Sequence, residues 1–146
     1  MSMASVPSPI RVMVVDDSAI VRGLIVRTLT NDPRIEVAAS CSNGEMAVAQ
    51  AARKALDVII LDIEMPRMDG FEFAKTIKGD PKTAGIPVIM ITSRTADKHR
   101  NRATELGVEH FLGKPYQEDE LLQSLRSVTS SGEERHTADA VSTTIH

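Results

Sequence analysis

The sequence predicts an α/β domain, a doubly wound, five-stranded parallel sheet with helices on both faces. Three observations carry that expectation. Short runs rich in β-branched residues alternate five times with segments whose apolar residues fall at helical spacing. Two of those runs, VMVV at 12–15 and VIIL at 58–61, are apolar at every residue rather than every second one, which suits strands buried on both sides. The composition, 42% hydrophobic with 3% aromatic, gives an aliphatic core of the kind such sheets use.

Taken in order, the expected strands are IRVMVV at 10–15, IEVAA at 35–39, DVIILD at 57–62, IPVIMIT at 86–92 and VEHFL at 108–112. The first helix carries Val21, Leu24, Ile25 and Leu29, with Ser18 as its cap; Gly23 inside it costs about 1 kcal/mol against Ala. Asn43 and Gly44 open the second helix, which carries Ala47, Ala51 and Ala55. Phe73, Ala74 and Ile77 mark the third, closed by Asp80 and Pro81. His99, Ala103 and Leu106 mark the fourth, which ends at Gly107, and Leu121, Leu122, Leu125 and Val128 mark the last. Strands alternating with helices imply right-handed crossovers, hence parallel pairing.

A chain of 146 residues has room for one compact domain, expected over 10–128. Residues 1–9 are expected to be a flexible N-terminus. SSGEERHTADAVSTTIH is polar, small and aperiodic, so 129–146 is expected to be a disordered tail. A net charge of -3 and the lack of a basic groove argue against nucleic acid as a partner. The lone Cys41 excludes an internal disulfide and fits packing in a reduced compartment. The start MSMASVPSPI has no signal-like pattern and no apolar run could span a bilayer, so a cytoplasmic protein without membrane insertion is expected.

The stretch DVIILDIEMPRMDG at 57–70 drives an apolar run into Asp62, a costly place for a carboxylate unless a charge or donor meets it. In open parallel sheets the ligand crevice lies beyond the carboxyl ends of the strands. Asp16 and Asp17 follow the first strand, Asp62 ends the third, Thr92 ends the fourth, and Lys114 and Pro115 follow the fifth. Three carboxylates at one edge repel one another and call for a cation. Hard oxygen donors with room for water favour Mg²⁺, and Lys114 supplies a second positive charge. A carboxylate surrounded by Mg²⁺, an ammonium and a hydroxyl is suited to accept a phosphoryl group, with Asp62 as nucleophile. Crowding the three acids should also destabilise the metal-free fold.

VVDDSA at 14–19, LDIEMPRMDG at 61–70, ITS at 91–93 and LGKP at 112–115 together resemble the receiver domain of two-component response regulators, especially the chemotaxis type. The resemblance covers about 10–128 and implies the flavodoxin-like strand order 2-1-3-4-5. It implies that a histidine kinase phosphorylates Asp62. It also implies that Asp16, Asp17, Asp62 and the backbone carbonyl of Glu64 hold the metal, that Thr92 and Lys114 contact the phosphoryl group, and that the Lys114–Pro115 bond is cis. Thr92 and Phe111 are the implied switch pair, Phe111 standing where Tyr is frequent. A downstream protein would then read a surface within about 93–128. Glu64 and Arg94, each two residues past a motif residue, are expected to pair across the pocket mouth and slow the hydrolytic water.

Each of these residues has a plainer reading. Asp16 and Asp17 can cap a helix, Thr92 can be an ordinary strand residue and Lys114 a surface cation; their coincidence at matching strand ends favours a site. The basic stretch SRTADKHRNR at 93–102 reads as a solvated helix face, His99 as packing, and Met65, Met68 and Met90 as core or turn residues. Among other functions, a Mg²⁺-dependent phosphohydrolase of the haloacid-dehalogenase kind would show D-x-D at one strand end, and here the pair is adjacent. The first half particularly resembles receivers of chemotaxis methylesterases, yet no G-x-S-x-G elbow occurs. The second half looks more like receivers attached to chemotaxis kinases. A phosphoacceptor rather than an enzyme is expected, acting as a signal carrier or as a phosphate sink. GVEHFLGKP fails as a phosphate-binding loop, having one residue too many and Pro where Ser or Thr belongs.

Overall fold

A computed structural model of the chain describes residues 8–65, 68–93 and 95–129. The elements are β1 (Ile10–Val15), α1 (Ala19–Thr30), β2 (Ile35–Cys41), α2 (Gly44–Arg53), β3 (Val58–Leu61), α3 (Gly70–Gly79), β4 (Val88–Thr92), α4 (Asp97–Glu105) and β5 (His110–Gly113), with a last helix α5 over 118–129. All strand pairs are parallel and the sheet order is β2-β1-β3-β4-β5, as the resemblance implies. The expected flexible N-terminus and tail lie outside the described residues except for 8, 9 and 129, and Thr129 is still helical.

Successive strand residues face opposite ways, so each strand feeds two cores. Met13, Val15, Ile59, Leu61, Val88 and Met90 pack with α2 and α3, against Ala47, Ala51, Phe73 and Ile77. Val12, Val14, Val58, Ile60, Ile89 and Ile91 pack with α1 and α5, against Ile25, Leu29, Leu121 and Leu125. Both faces are thus covered, which is why these strands read as unbroken apolar runs.

Several element ends differ from expectation, β2 for one running on to Cys41, and three of the differences have a clear local reason. Pro87 has no N–H to give the ladder, so β4 starts at Val88 rather than Ile86, while the Pro87 carbonyl still accepts from Ile59 N–H at 2.9 Å. Val108 belongs to the end of α4 rather than to β5. Gly107 adopts φ +88°, and the N–H groups of Gly107 and Val108 donate to the carbonyls of Thr104 and Ala103 at 3.0 Å each, a Schellman cap. Ala55 lies past α2, and its carbonyl accepts from Arg11 Nε at 2.7 Å.

The caps at Ser18, Asn43 and Asp80 stand where expected. Helix α4 is held differently from the others. Its one buried residue is Ala103, and its remaining anchors are polar side chains on aromatic rings. Arg100 lies 4.8 Å from the Phe111 ring centroid, Arg102 lies 4.6 Å from that of Phe71, and His99 stacks on Phe71 at 6.0 Å.

The glycines make opposite stability predictions. Nothing stands within 4 Å of a Cβ at Gly23, whereas a Cβ at Gly70 would lie 2.5 Å from the Asp62 carbonyl oxygen and 2.7 Å from Ile63 Cα. Gly23→Ala is expected to raise unfolding free energy by about 0.5–1 kcal/mol and Gly70→Ala to lower it by about 1–3 kcal/mol, read from urea midpoints.

Candidate functional site

The carboxyl ends of β1, β3, β4 and β5 deliver the expected residues to one edge of the sheet. Asp16 extends β1 by donating its N–H to the Cys41 carbonyl at 3.1 Å, and Asp62 N–H donates to the Val15 carbonyl at 3.1 Å. Thr92, fully buried, ends β4, and its carbonyl accepts from Lys114 N–H at 2.8 Å. Behind Asp62 the chain folds back tightly enough that Gly70 N–H reaches the Ile63 carbonyl at 2.9 Å, which only a residue without Cβ allows here. Asp69 then caps α3 through a reciprocal box with Glu72.

One oxygen from each of Asp16, Asp17 and Asp62 lies within 4.8 Å of the others. Asp16 and Asp62 are buried and Asp17 is exposed. Lys114 Nζ sits 3.1 Å from Asp16 Oδ2 and 3.4 Å from Asp62 Oδ2, so the ammonium expected as a second positive charge on the site meets the Asp62 carboxylate directly. Three carboxylates against one ammonium still leave two negative charges, a match for a divalent cation. Asp16 Oδ1 is satisfied by Ser18 N–H at 2.9 Å. Asp62 Oδ1 is buried and, by hydrogen-bond geometry, finds no partner among the described residues. A buried oxygen left empty-handed among hard donors is what a Mg²⁺ ion would satisfy, so the residues fit that ion.

Burial pushes the Asp62 carboxyl above its ordinary range; Lys114 opposes this and Asp16 adds to it. Burial alone would lower the Lys114 ammonium, but its hydrogen bond to Asp16 and the charge of Asp62 raise it on balance. Lys114 therefore stays charged. The Lys114–Pro115 bond is cis.

At the mouth, Ser93 Oγ donates to Glu64 Oε1 at 2.9 Å, joining the loops after β4 and β3. The expected partner of Glu64, Arg94, lies outside the described residues; Ser93 was legible only as the last residue of the ITS motif, with no role expected of it. Phe111 is half-buried opposite Met90 in the β4–β5 register, under the Arg100 guanidinium. A cleft of about 510 Å³ adjoins the mouth, lined by Asp17, Glu64, Asp69, Phe71, His99 and Arg102.

Acidic pair, acceptor-like carboxylate, hydroxyl and ammonium occupy the strand ends in the order the four motifs require, and the family model for the response regulator receiver domain matches residues 12–126. The chain belongs to the response regulator receiver family. Its relatives and structural neighbours include proteins of chemotaxis type. The protein-glutamate methylesterase/protein-glutamine glutaminase of the group 2 operon of Rhodospirillum centenum is 44% identical over 114 residues, 77% of this chain and 29% of that protein. A corresponding protein of Paramagnetospirillum magneticum is 47% identical over 117 residues, 75% of this chain and 30% of that one. The receiver thus spans about 30% of the length of these curated relatives. Among solved structures, chemotaxis protein CheY4 of Vibrio cholerae superposes with a TM-score of 0.77 at 32% identity, over 83% of this chain and 99% of that one. The response regulator domain of Thermotoga maritima CheB gives 0.76 at 32% identity, over 84% and 97%. Among the described residues no helix of the receiver is long and apolar enough to cross a membrane.

The cost of the metal-free site concentrates on Asp62 rather than on exposed Asp17. Because its folded-state pKa is raised, ionised Asp62 weakens the fold once the pH climbs above the ordinary 3.8 and through the raised value. In metal-free buffer Asp62→Asn is expected to be more stable than the parent by about 1–3 kcal/mol at neutral pH, with the gap closing below the ordinary carboxylate range. Paired thermal melts across pH check this.

Proposed function

We propose that this receiver is a phosphoacceptor switch in which Asp62 takes a phosphoryl group from a histidine kinase of chemotaxis type. The observation that carries the reading is the Asp62 carboxylate itself, 6% exposed at a strand end, with Oδ2 facing the Lys114 ammonium and Oδ1 without a hydrogen-bond partner among the described residues. A carboxylate oxygen of Asp62 attacks phosphorus, the P–N bond to the donor imidazole breaks, and the imidazole leaves with the electron pair and takes a proton. Hydrolysis later returns the carboxylate and inorganic phosphate. Lys114 holds positive charge where the phosphoryl oxygens arrive, and the Thr92 hydroxyl donates to one of them. Asp16, Asp17, Asp62 and the Glu64 carbonyl would hold Mg²⁺, which when bound neutralises phosphoryl charge and aids in-line transfer.

The signal is a population shift: Thr92 moves toward the phosphoryl group, Phe111 turns inward behind it, and the surface of α4, β5 and α5 changes its affinity for a downstream protein. The polar attachment of α4 supports this, since solvent-exposed cations on aromatic faces hold a helix by only about 0.5–1 kcal/mol each. Such exchange with a kinase belongs in the cytoplasm. The identities of 44% and 47% to methylesterases favour a second reading, that the receiver acts as the regulatory region of an enzyme of that kind. Both readings use the same chemistry at Asp62.

Intact mass spectrometry after incubation with Mg²⁺ and acetyl phosphate should show one added phosphoryl group on the parent and none on Asp62→Ala. An adduct that survives in Asp62→Ala would move the acceptor elsewhere. The Ser93–Glu64 hydrogen bond should shield the acyl phosphate from water. Ser93→Ala, Glu64→Asn and Arg94→Ala are each expected to speed dephosphorylation a few-fold; rates equal to the parent's would remove the lid.

A further inference from the structure

Asp17 is the ill-supported member of the acidic cluster. Asp16 is fixed by Ser18 and Lys114 through its two carboxylate oxygens and by Cys41 through its N–H, and Asp62 by Lys114 and by its bond to Val15. The Asp17 side chain is exposed and makes no hydrogen bond or ion pair among the described residues. Its carboxylate can meet those of Asp16 and Asp62 only because the backbone points it there.

That backbone has one conspicuous clamp. Arg22 Nη1 donates to the Asp16 carbonyl oxygen at 2.7 Å, and this carbonyl is half of the peptide unit that enters Asp17. Arg22 sits in the second turn of α1, its N–H bonded to the Ser18 carbonyl at 2.8 Å. Helical side chains lean toward the N-terminus, so its half-buried guanidinium returns over the β1–α1 loop. The sequence gives no hint of this, since an arginine on a helix flank reads as a solvated charge.

We propose that Arg22 is a positioning residue for the cation site, holding the Asp16–Asp17 peptide plane so that the Asp17 carboxylate faces Asp16 and Asp62. The inference rests on the reading of that cluster as a Mg²⁺ site and extends it to a residue outside the four motifs. Arg22 bonds the Asp16 carbonyl rather than any of the three carboxylates, so it acts through Asp17. Its charge works against its geometry, because a guanidinium beside a cation site repels the cation. The two roles therefore predict opposite signs.

The test is Mg²⁺ affinity by titration calorimetry, without phosphodonor, for the parent, Arg22→Met, Asp17→Asn and the double variant at fixed ionic strength. Arg22→Met keeps the apolar stem and helix propensity but removes donor and charge. Weakening by about tenfold, the usual loss for an outer-shell partner, is expected. In the Asp17→Asn background the same substitution should change affinity less than about twofold, since there is nothing left to position. Equal or tighter binding by Arg22→Met, or a loss that persists in full without Asp17, overturns the inference. A parent that binds no Mg²⁺ overturns instead the reading beneath it. If Arg22→Met melts without cooperativity, Arg22→Gln, which retains an N–H donor, is expected to show a smaller weakening in the same direction.

Discussion

Burying the Asp62 carboxylate is the constraint around which the rest of this molecule is arranged. A charge with 6% exposure at the end of an apolar strand requires a counter-charge held in place, and Lys114 supplies it from the far side of β4. Lys114 arrives there because its own N–H closes on the Thr92 carbonyl, so the β4–β5 ladder sets the ammonium against the carboxylate. The tight return of the chain to Gly70 behind Asp62 completes the arrangement. The cost that remains, an Oδ1 with no partner among the described residues and three acids against one ammonium, fits the proposed Mg²⁺ site better than a role in stability.

The sheet makes that cost tolerable. Two cores, one on each face, lock β1, β3 and β4 at the centre, so their carboxyl ends can carry charge without loosening the strands behind them. The periphery is built more lightly. Helix α4 contributes one buried alanine and otherwise rests on Phe71 and Phe111 through His99, Arg100 and Arg102. The tightly packed centre carries the candidate site and the lightly held edge stands next to it, which is the division of labour the proposed switch needs.

Legibility of the sequence followed the range of the interactions. The apolar runs at 12–15, 58–61 and 88–91 located the central strands because burial on both faces leaves no polar residue to blur them. The caps at Ser18 and Asn43 were readable because capping acts over three residues. Strand ends were less so: Val108 looked like the start of β5, yet the Gly107 turn draws it into the cap of α4. The five site residues were legible as a set, since strand-end position fixes which of them can meet.

The sequence by itself determined an α/β sheet with Asp16, Asp17, Asp62, Thr92 and Lys114 at one edge, because periodicity and strand-end chemistry are local properties of the chain. Only the tertiary structure decided that Lys114 spans Asp16 and Asp62, that Asp62 Oδ1 finds no partner among the described residues, that Ser93 reaches Glu64, and that Arg22 grips the Asp16 carbonyl. Those contacts turn on side-chain reach and on separations of up to 98 residues, and neither leaves a periodic trace in the order of amino acids.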